Sequence, residues 1–449
     1  MEGMRRREQE PLDAQWYGRF EGAGSFQAYE YFSGDREARA EQKRAFMDGE
    51  IDAPALDYPK LNMGDLQTKE DDLLALKKDI LNKEPNPDVK QAYRWKINEK
   101  IAEVRMMKAA LNGNMKRFSK YTSFVYGEPS AQVFGYTLAT ESKKAHDALS
   151  SDNPDIAAAA QQLIEILPEG SAHDVAALPT QNIVDAMQVQ TLDAFSEAMA
   201  AVDTKVEQYE AGQIQEVFRE AMSSLELTGW TVEVVDTGKT SISVNQEEKK
   251  VVVPEGRSMT AKKLQQLIVH EIGTHVARRV NGEHSKLQLL GLGLDRYERG
   301  EEGVATMREQ AVTGDVQDFA GMAGHLGIAL ARGVDGQKRG FREVYEIIRA
   351  QMYLEKLLSG MDPAAASGKA DTLAYNRSVR VFRGTDGKTP GVCFTKDMIY
   401  REGNIDIWNL VGEDPDAAMQ FSVGKYDPSN PEHLALLSRL GITDTDLAA

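Results

Sequence analysis

Residues 268–276 read Ile-Val-His-Glu-Ile-Gly-Thr-His-Val, and the spacing of the two histidines in this stretch decides how the chain is read. Histidines four apart on an α-helix stand about 40° apart around the axis and reach one metal ion, whereas five apart they stand about 140° apart. His270 and His275 are five apart, so shared ligation requires a deformed helix. A one-residue π-bulge absorbs the extra residue, and Gly273, between the histidines, is where helical regularity breaks most easily.

Tetrahedral zinc with an open position takes three protein ligands, and a carboxylate is the usual partner of two histidines. Glu301-Glu302-Gly303-Val304-Ala305 offers one, from either glutamate. Zinc would polarise a scissile carbonyl and lower the pKa of its bound water toward about 7, while Glu271 takes the water proton and passes it to the leaving amine. Two histidines on one helix also occur as a buried polar pair. The adjacent glutamate, the intervening glycine and the downstream acidic pair favour the metal, with a metal site lacking catalysis as the alternative.

Working outward, Trp230 to Val235, Ser241 to Val244 and Lys250 to Val253 are short β-branched runs joined by Thr237-Gly238 and Asn245 to Glu248. They predict a three-stranded antiparallel sheet, whose edge an extended peptide can join by main-chain hydrogen bonds. Thr260 caps the helix that follows, with Leu264, Leu267, Ile268 and Ile272 on its apolar face. Upstream, Leu66 to Asn112 reads as a helical hairpin broken at Pro85-Asn86-Pro87, with further helices over Ala131 to Ser150, Asp155 to Leu167, Val184 to Ala201 and Ile214 to Leu225. Met1 to Pro59 mixes aromatics with glycine and dense charge without a sustained period, and reads as an extended arm packed on the body or on a second subunit. Downstream, helices are expected over Gln310 to Asp318, Ala320 to Ala331 and Arg342 to Leu358. A second β-rich patch is expected at Ser378 to Phe382 and Gly391 to Thr395. The segments are therefore an arm over 1–60, a helical region over 61–225, a catalytic domain over 226–412 and an acidic, partly helical tail over 413–449.

The chain has 449 residues, 41% hydrophobic and 27% charged, with one cysteine and no apolar run long enough to span a membrane. This excludes a disulfide scaffold and a helical membrane protein. The opening MEGMRRREQE leads into polar sequence without the apolar stretch of a secretory signal, so a cytoplasmic location is expected. The 53 basic and 70 acidic side chains leave a net charge of −17, which argues against nucleic acid and anionic membrane as partners of the whole surface. It also makes a strongly acidic peptide a poor substrate unless the cleft is locally basic.

The segment from Gly229 to Gln310, with HEIGTH at His270 to His275, Arg278, Asn281-Gly282 and EEGVA at Glu301 to Ala305, resembles the microtubule-associated tyrosine carboxypeptidase family. That family includes bacterial proteins labelled as flavohaemoglobin-expression modulators with a Q-E-G-L-A motif. The resemblance extends through Arg383-Gly384 and Phe394-Thr-Lys-Asp397 to Tyr400 and Gly403. It implies a zinc metallocarboxypeptidase with one zinc ion, His270 and His275 as ligands and Glu271 as the catalytic glutamate. Because only the second position of Q-E-G-L-A is acidic, it also implies Glu302 over Glu301 as third ligand. Valine in EEGVA and alanine in HVARR depart from the family pattern, and both are apolar changes that leave the metal logic intact.

A carboxypeptidase must neutralise its substrate's terminal carboxylate, which makes Arg278, Arg383 and Lys396 candidate substrate-binding residues. Tyr400 is a candidate hydrogen-bond donor to the tetrahedral oxyanion, against a packing role in a β-rich patch. Glu309 falls where it can orient a ligating imidazole. His146, His173, His284, His325 and His433 lack a nearby partner for ligation, and Gly291 to Leu294 lacks the third glycine and preceding strand of a nucleotide loop. The expected architecture is α+β, a mostly helical zincin-like metallopeptidase with a small antiparallel sheet beside the HExxxH helix. The expected activity is release of a C-terminal residue from a peptide or protein tail. Aminopeptidase or endopeptidase action at the same site, or a noncatalytic metal-binding regulator, are the alternatives.

Overall fold

The computed structural model describes residues 11–34, 36–170, 178–236 and 241–442. The expected Thr237-Gly238 turn, His173 and the opening MEGMRRREQE lie outside them. The chain is mostly helical with small sheets, an α+β fold. No helix among the described residues is long and apolar enough to cross a membrane.

The helical hairpin forms as its punctuation dictates. Asn62 caps Met63–Lys83, accepting bonds from Gly64 and Asp65 N–H, and Asn86 caps Pro87–Leu111, whose first residue is the proline that a helix start tolerates. The N-terminal residues pack partly on the hairpin and partly, through Phe46, on Phe341 and Tyr345, and here the expectation of an extended arm is corrected. They form helices Ala14–Gly24, Ala28–Tyr31 and Arg36–Met47, whose aromatics Trp16, Phe20 and Phe46 are buried. Asp13 pins the first of them, accepting from Tyr93 Oη (2.8 Å) and from the backbone N–H groups of Gln288 and Leu289 (2.8 and 3.0 Å). The helices are too short to be stable alone and persist because tertiary burial of their aromatics outweighs weak periodicity. One hydrophobic cluster takes Trp16, Ile97, Leu290, Phe394 and Leu437 from all four expected segments, so the segments share a core.

Two more expectations change. The three-stranded sheet is mixed: Lys250–Pro254 is central, parallel to Thr231–Val235 and antiparallel to Ser243–Asn245. The strand with an unbroken run of three valines takes the centre, with Val251 and Val253 fully buried, while the alternating strands flank it. A second, two-stranded antiparallel sheet pairs Tyr209–Glu210 with Ser258–Met259. The expected β patch at Ser378 to Phe382 is instead the end of a 20-residue helix, Pro363–Phe382. Asp362 caps it, and Ala366, Ala370, Ala374 and Ser378, four apart and buried, form the face it packs on Phe341–Leu358. Gly391 to Phe394 has no strand and runs into a 3₁₀ turn, Thr395–Met398.

The helix expected from Gln310 to Asp318 starts earlier, at Glu298, and ends at Thr313, where Gly314 takes a left-handed conformation. It crosses Ile399–Glu413 at two glycines. A Cβ on Gly303 would stand 2.4 Å from Gly403 O, and one on Gly403 only 2.1 Å from Arg299 O, so the backbones touch and no larger residue fits either position. This crossing sets how far the acidic pair lies from the residues around Tyr400.

Candidate metal centre

The helix that carries both histidines starts as an α-helix, Ala261–Leu267, capped by Thr260, whose hydroxyl oxygen accepts from Lys263 N–H at 3.3 Å. It becomes a π-helix over Ile268–Val276 and returns to α over Ala277–Glu283. Closure by i→i+5 bonds brings residues five apart onto one face, which is what the histidine spacing demands. The His270 and His275 rings stand 5.1 Å apart at 76°, and the ligand atoms of His270, Glu271 and His275 lie within 4.8 Å of one another. The opposite face, Ile268, Val269, Ile272 and Val276, is fully buried.

Two features hold the widened turn. The buried Arg308 donates to Gly273 O (3.0 Å), Thr274 Oγ1 (3.1 Å) and Ser422 Oγ (3.0 Å), answering backbone and hydroxyl groups inside the turn. Gly273 leaves room for Phe195, because a Cβ there would stand 2.6 Å from its ring. Gly273→Ala is expected to destabilise the protein by about 1–3 kcal/mol through overpacking, and Phe195→Leu to restore part of the loss. Thermal denaturation of the single and double variants checks this.

A carboxylate from helix Glu298–Thr313 faces Nδ1 of each imidazole, hydrogen-bonded at His275 and at ion-pair distance at His270. His270 Nδ1 lies 3.1 Å from Glu309 Oε2, and His275 Nδ1 lies 3.0 Å from Glu301 Oε1. A carboxylate at Nδ1 fixes the proton there and leaves the Nε2 lone pair for a ligand. Glu302 Oε2 is 3.8 Å from His275 Nε2. Glu301, about 100° around the same helix, points behind the ring and is fully engaged. Arg278 Nη1 and Lys425 Nζ each donate to it at 2.6 Å. Lys425 comes from the expected acidic tail, and no motif in the sequence announced it.

The charges are tightly coupled. Burial opposes ionisation of His270, but the bond to Glu309 and the charges of Glu271, Glu309 and Glu302 prevail and push it up to about 9. Burial likewise opposes ionisation of Glu309, yet His270 and Lys263 draw it down to about 2. Burial raises the pKa of Glu271, partly offset by the two histidines. Glu301 is held well below the usual carboxylate range, because Lys425, Arg278 and His275 outweigh its burial.

In metal-free protein the His270–Glu309 pair has a definite pH window. The raised histidine contributes stability that is full below its unfolded value of 6.5 and lost as pH rises through about 9. The depressed glutamate contributes stability that is full above 4.5 and lost as pH falls through about 2. The pair therefore stabilises most between about pH 4.5 and 6.5. Melting temperatures of metal-free protein across pH are expected to lose this plateau in Glu309→Gln.

The expected substrate residues divide. Arg278 is fully buried, with Nη1 on Glu301 and Nη2 on Tyr426 O (2.7 Å), so it lies behind the histidines and positions Glu301. Both terminal nitrogens are engaged there, while Nε has no hydrogen-bond partner among the described residues. Arg383, Lys396 and Tyr400 come together elsewhere. Lys396 Nζ pairs with Glu298 Oε2 at 3.1 Å and lies over the rings of Tyr29 (4.6 Å) and Tyr400 (5.5 Å). Burial and the charge of Glu302 push the Tyr400 phenol up to about 12, against the opposing pull of Lys396.

Sequence reading missed Arg377, Arg380 and Tyr29 here. Arg380 binds Asp397 in bidentate fashion (2.6 and 2.9 Å), while Arg377 and Arg383 reach the same carboxylate at 3.4 Å. Three guanidinium groups thus share one carboxylate and leave excess positive charge beside Tyr400. Their spacing of three was the available signal, concealed by reading Ser378 to Phe382 as a strand.

A family model for microtubule-associated tyrosine carboxypeptidase matches residues 170–356 and 364–445. The chain belongs to this family. The match covers most of the chain and takes in the π-helix, both helices that meet at Gly303 and Gly403, the arginine cluster and Lys425. No curated protein and no solved structure matches. Membership in the microtubule-associated tyrosine carboxypeptidase family implies a carboxypeptidase-like activity on a peptide or protein substrate. Tyr29 lies outside the matched residues, on a helix that reaches the site from the N-terminal side.

Proposed function

We propose that the protein is a zinc-dependent metallocarboxypeptidase that removes a C-terminal residue from a peptide or protein tail. One observation carries the reading: a carboxylate faces Nδ1 of each imidazole, which favours Nε2 as the free donor atom beside Glu302 and Glu271. Two imidazole nitrogens and a carboxylate oxygen form the donor set that zinc accepts at a catalytic site, so His270, His275 and Glu302 would hold it. Zinc held there supplies Lewis acidity toward a carbonyl oxygen and toward water.

The chain's own residues do the rest. Glu271 takes a proton from the attacking water and delivers it to the leaving amine. Tyr400 remains protonated at neutral pH and donates a hydrogen bond to the oxygen that gains charge at the tetrahedral stage. Arg380, Arg383 and Lys396 receive the terminal carboxylate, the excess positive charge favouring this over capture of a substrate ammonium. The edge strand Ser243–Asn245 packs against the π-helix and can pair with an extended substrate. The arginines also supply the local basicity that a chain of net charge −17 needs to accept an acidic tail.

Peptides with an amidated C-terminus should resist cleavage, while N-acetylated peptides should be cleaved normally; the opposite pattern indicates an aminopeptidase. Arg380→Gln is expected to raise KM about 10- to 100-fold with little change in metal content, the scale of one charge-assisted bidentate contact. Steady-state kinetics on a free-carboxylate peptide, with metal analysis, checks both parts.

A further inference from the structure

A cavity of 10 Å³, about the size of one water, lies where the N-terminal segment, helix Pro87–Leu111, helix Ala277–Glu283 and the C-terminal segment meet. Lys100, Arg279 and Lys425 line it, all three buried, together with the uncharged polar residues Ser25, Gln27, Gln246 and Tyr297, and no aspartate or glutamate does. Each cation finds its carboxylate away from the cavity wall: Lys100 bonds Glu103 (2.8 Å), Lys425 bonds Glu301 (2.6 Å), and Arg279 bonds Glu21 and Glu283 (2.6 and 2.7 Å). Those carboxylates are shared with other cations. Glu301 also binds Arg278 at 2.6 Å and attracts the buried Arg308, while Lys249 stands 3.0 Å from Glu283 and 3.8 Å from Glu21. Arg278, Arg279, Arg308, Lys249 and Lys425 therefore divide the three carboxylates Glu21, Glu283 and Glu301 among five cations. Burial and repulsion from Arg278 and Arg279 draw the Lys425 ammonium below its usual value, against the pull of Glu301. One donor on the wall is unanswered: Arg279 Nη1 is buried and has no hydrogen-bond partner among the described residues. Gln246 Oε1 is also buried and unpartnered, and half a turn of that amide offers its NH₂ in the same place.

A buried guanidinium N–H without an acceptor costs free energy, and so does an excess of buried charge of one sign. One small anion answers both. We propose that the cavity binds a single halide ion, chloride under ordinary conditions, which accepts from Arg279 Nη1 and the Gln246 amide and is attracted by Lys100 and Lys425. The volume admits a monatomic ion and excludes phosphate, sulfate and carboxylates. Water is the neutral rival, since it can bond Arg279 Nη1 and Gln246 Oε1, but it leaves the excess of positive charge as it was. The position gives the ion a structural task. It joins Ser25 and Gln27, which lie outside the residues matched by the family model, to the helix that carries both histidines. It also stands behind the candidate metal centre, because Lys425 donates to Glu301, and Glu301 faces His275 Nδ1 at 3.0 Å. Nothing in this assignment depends on the carboxypeptidase reading.

The test is thermal denaturation of the full-length protein in sodium chloride against sodium gluconate at constant ionic strength, with and without added zinc, since zinc itself can take a halide. In both forms the melting temperature is expected to rise with chloride by about 2–4 °C and to saturate as one-site binding does. Bromide should replace chloride in this assay. Crystals grown in bromide should then show, at the bromine absorption edge, one anomalous peak within bonding distance of Arg279 Nη1. Gln246→Glu places a carboxylate on the cavity wall, so this variant should melt in gluconate as high as the unchanged protein does in saturating chloride, and should no longer respond to chloride. If it fails to fold, the gluconate comparison and the bromide peak still decide the matter on the unchanged protein. Equal melting in chloride and gluconate, an ordered water where the bromide peak is expected, or a full chloride response in folded Gln246→Glu overturns the proposal.

Discussion

Glu271→Gln is expected to lower kcat on a cleavable peptide by about 10²- to 10⁴-fold while leaving bound zinc unchanged. The glutamine keeps the shape of the side chain but cannot take a proton from water, so the loss measures the base alone. The position is suited to that role: Glu271 is adjacent to His270, and burial raises its pKa. The metal measurement makes the prediction specific. Glu271 lies in the same 4.8 Å cluster as the histidines, so if it were itself a ligand, the substitution would lower zinc content along with activity. Full zinc with lost turnover assigns it as the base; retained turnover sinks that assignment. A protein acting only as a metal-binding regulator would keep its cellular effect in this variant.

What could be read from sequence follows from how local the determining physics is. Two histidines five apart can share a metal only on a wider helix, so the π-helical stretch was legible from spacing, and the structure shows it over Ile268–Val276. Helices with caps and clear periodicity, such as Met63–Lys83 and Pro87–Leu111, were legible for the same reason. Strand order was not, because partner choice in the sheet depends on which strand is buried on both faces, a property of the assembled core. The N-terminal helices escaped because packing of Trp16, Phe20 and Phe46 stabilises them, with little contribution from periodicity. The arginine stripe at 377, 380 and 383 escaped because small alanines, whose burial marks the packed face, give a weak hydrophobic signal. Lys425, more than a hundred residues from Glu301, had no local signature at all.

The adjacent glutamates should separate under substitution, which is the strongest test of how the site is built. Glu301→Ala is expected to destabilise the fold by about 3–5 kcal/mol, because it strands the buried cations Arg278 and Lys425 without their shared carboxylate. Glu302→Gln should leave the fold of metal-free protein nearly as stable as before. Glu302 attracts His270 and Lys396 and repels Glu271, so neutralising it removes opposing contributions and is expected to change stability little. Its cost should appear in zinc affinity, by at least about 10- to 100-fold, since even an outer carboxylate has an effect of that size. Denaturant unfolding of metal-free protein and competitive zinc titration measure the two effects separately. If Glu302→Gln kept full zinc affinity while Glu301→Ala folded normally and lost it, the ligand would be Glu301, and the cations now behind it would have to move. The 2.6 Å contacts of Arg278 and Lys425 argue against that rearrangement, because both donors would have to leave a carboxylate that is their closest anionic partner in a site closed to water.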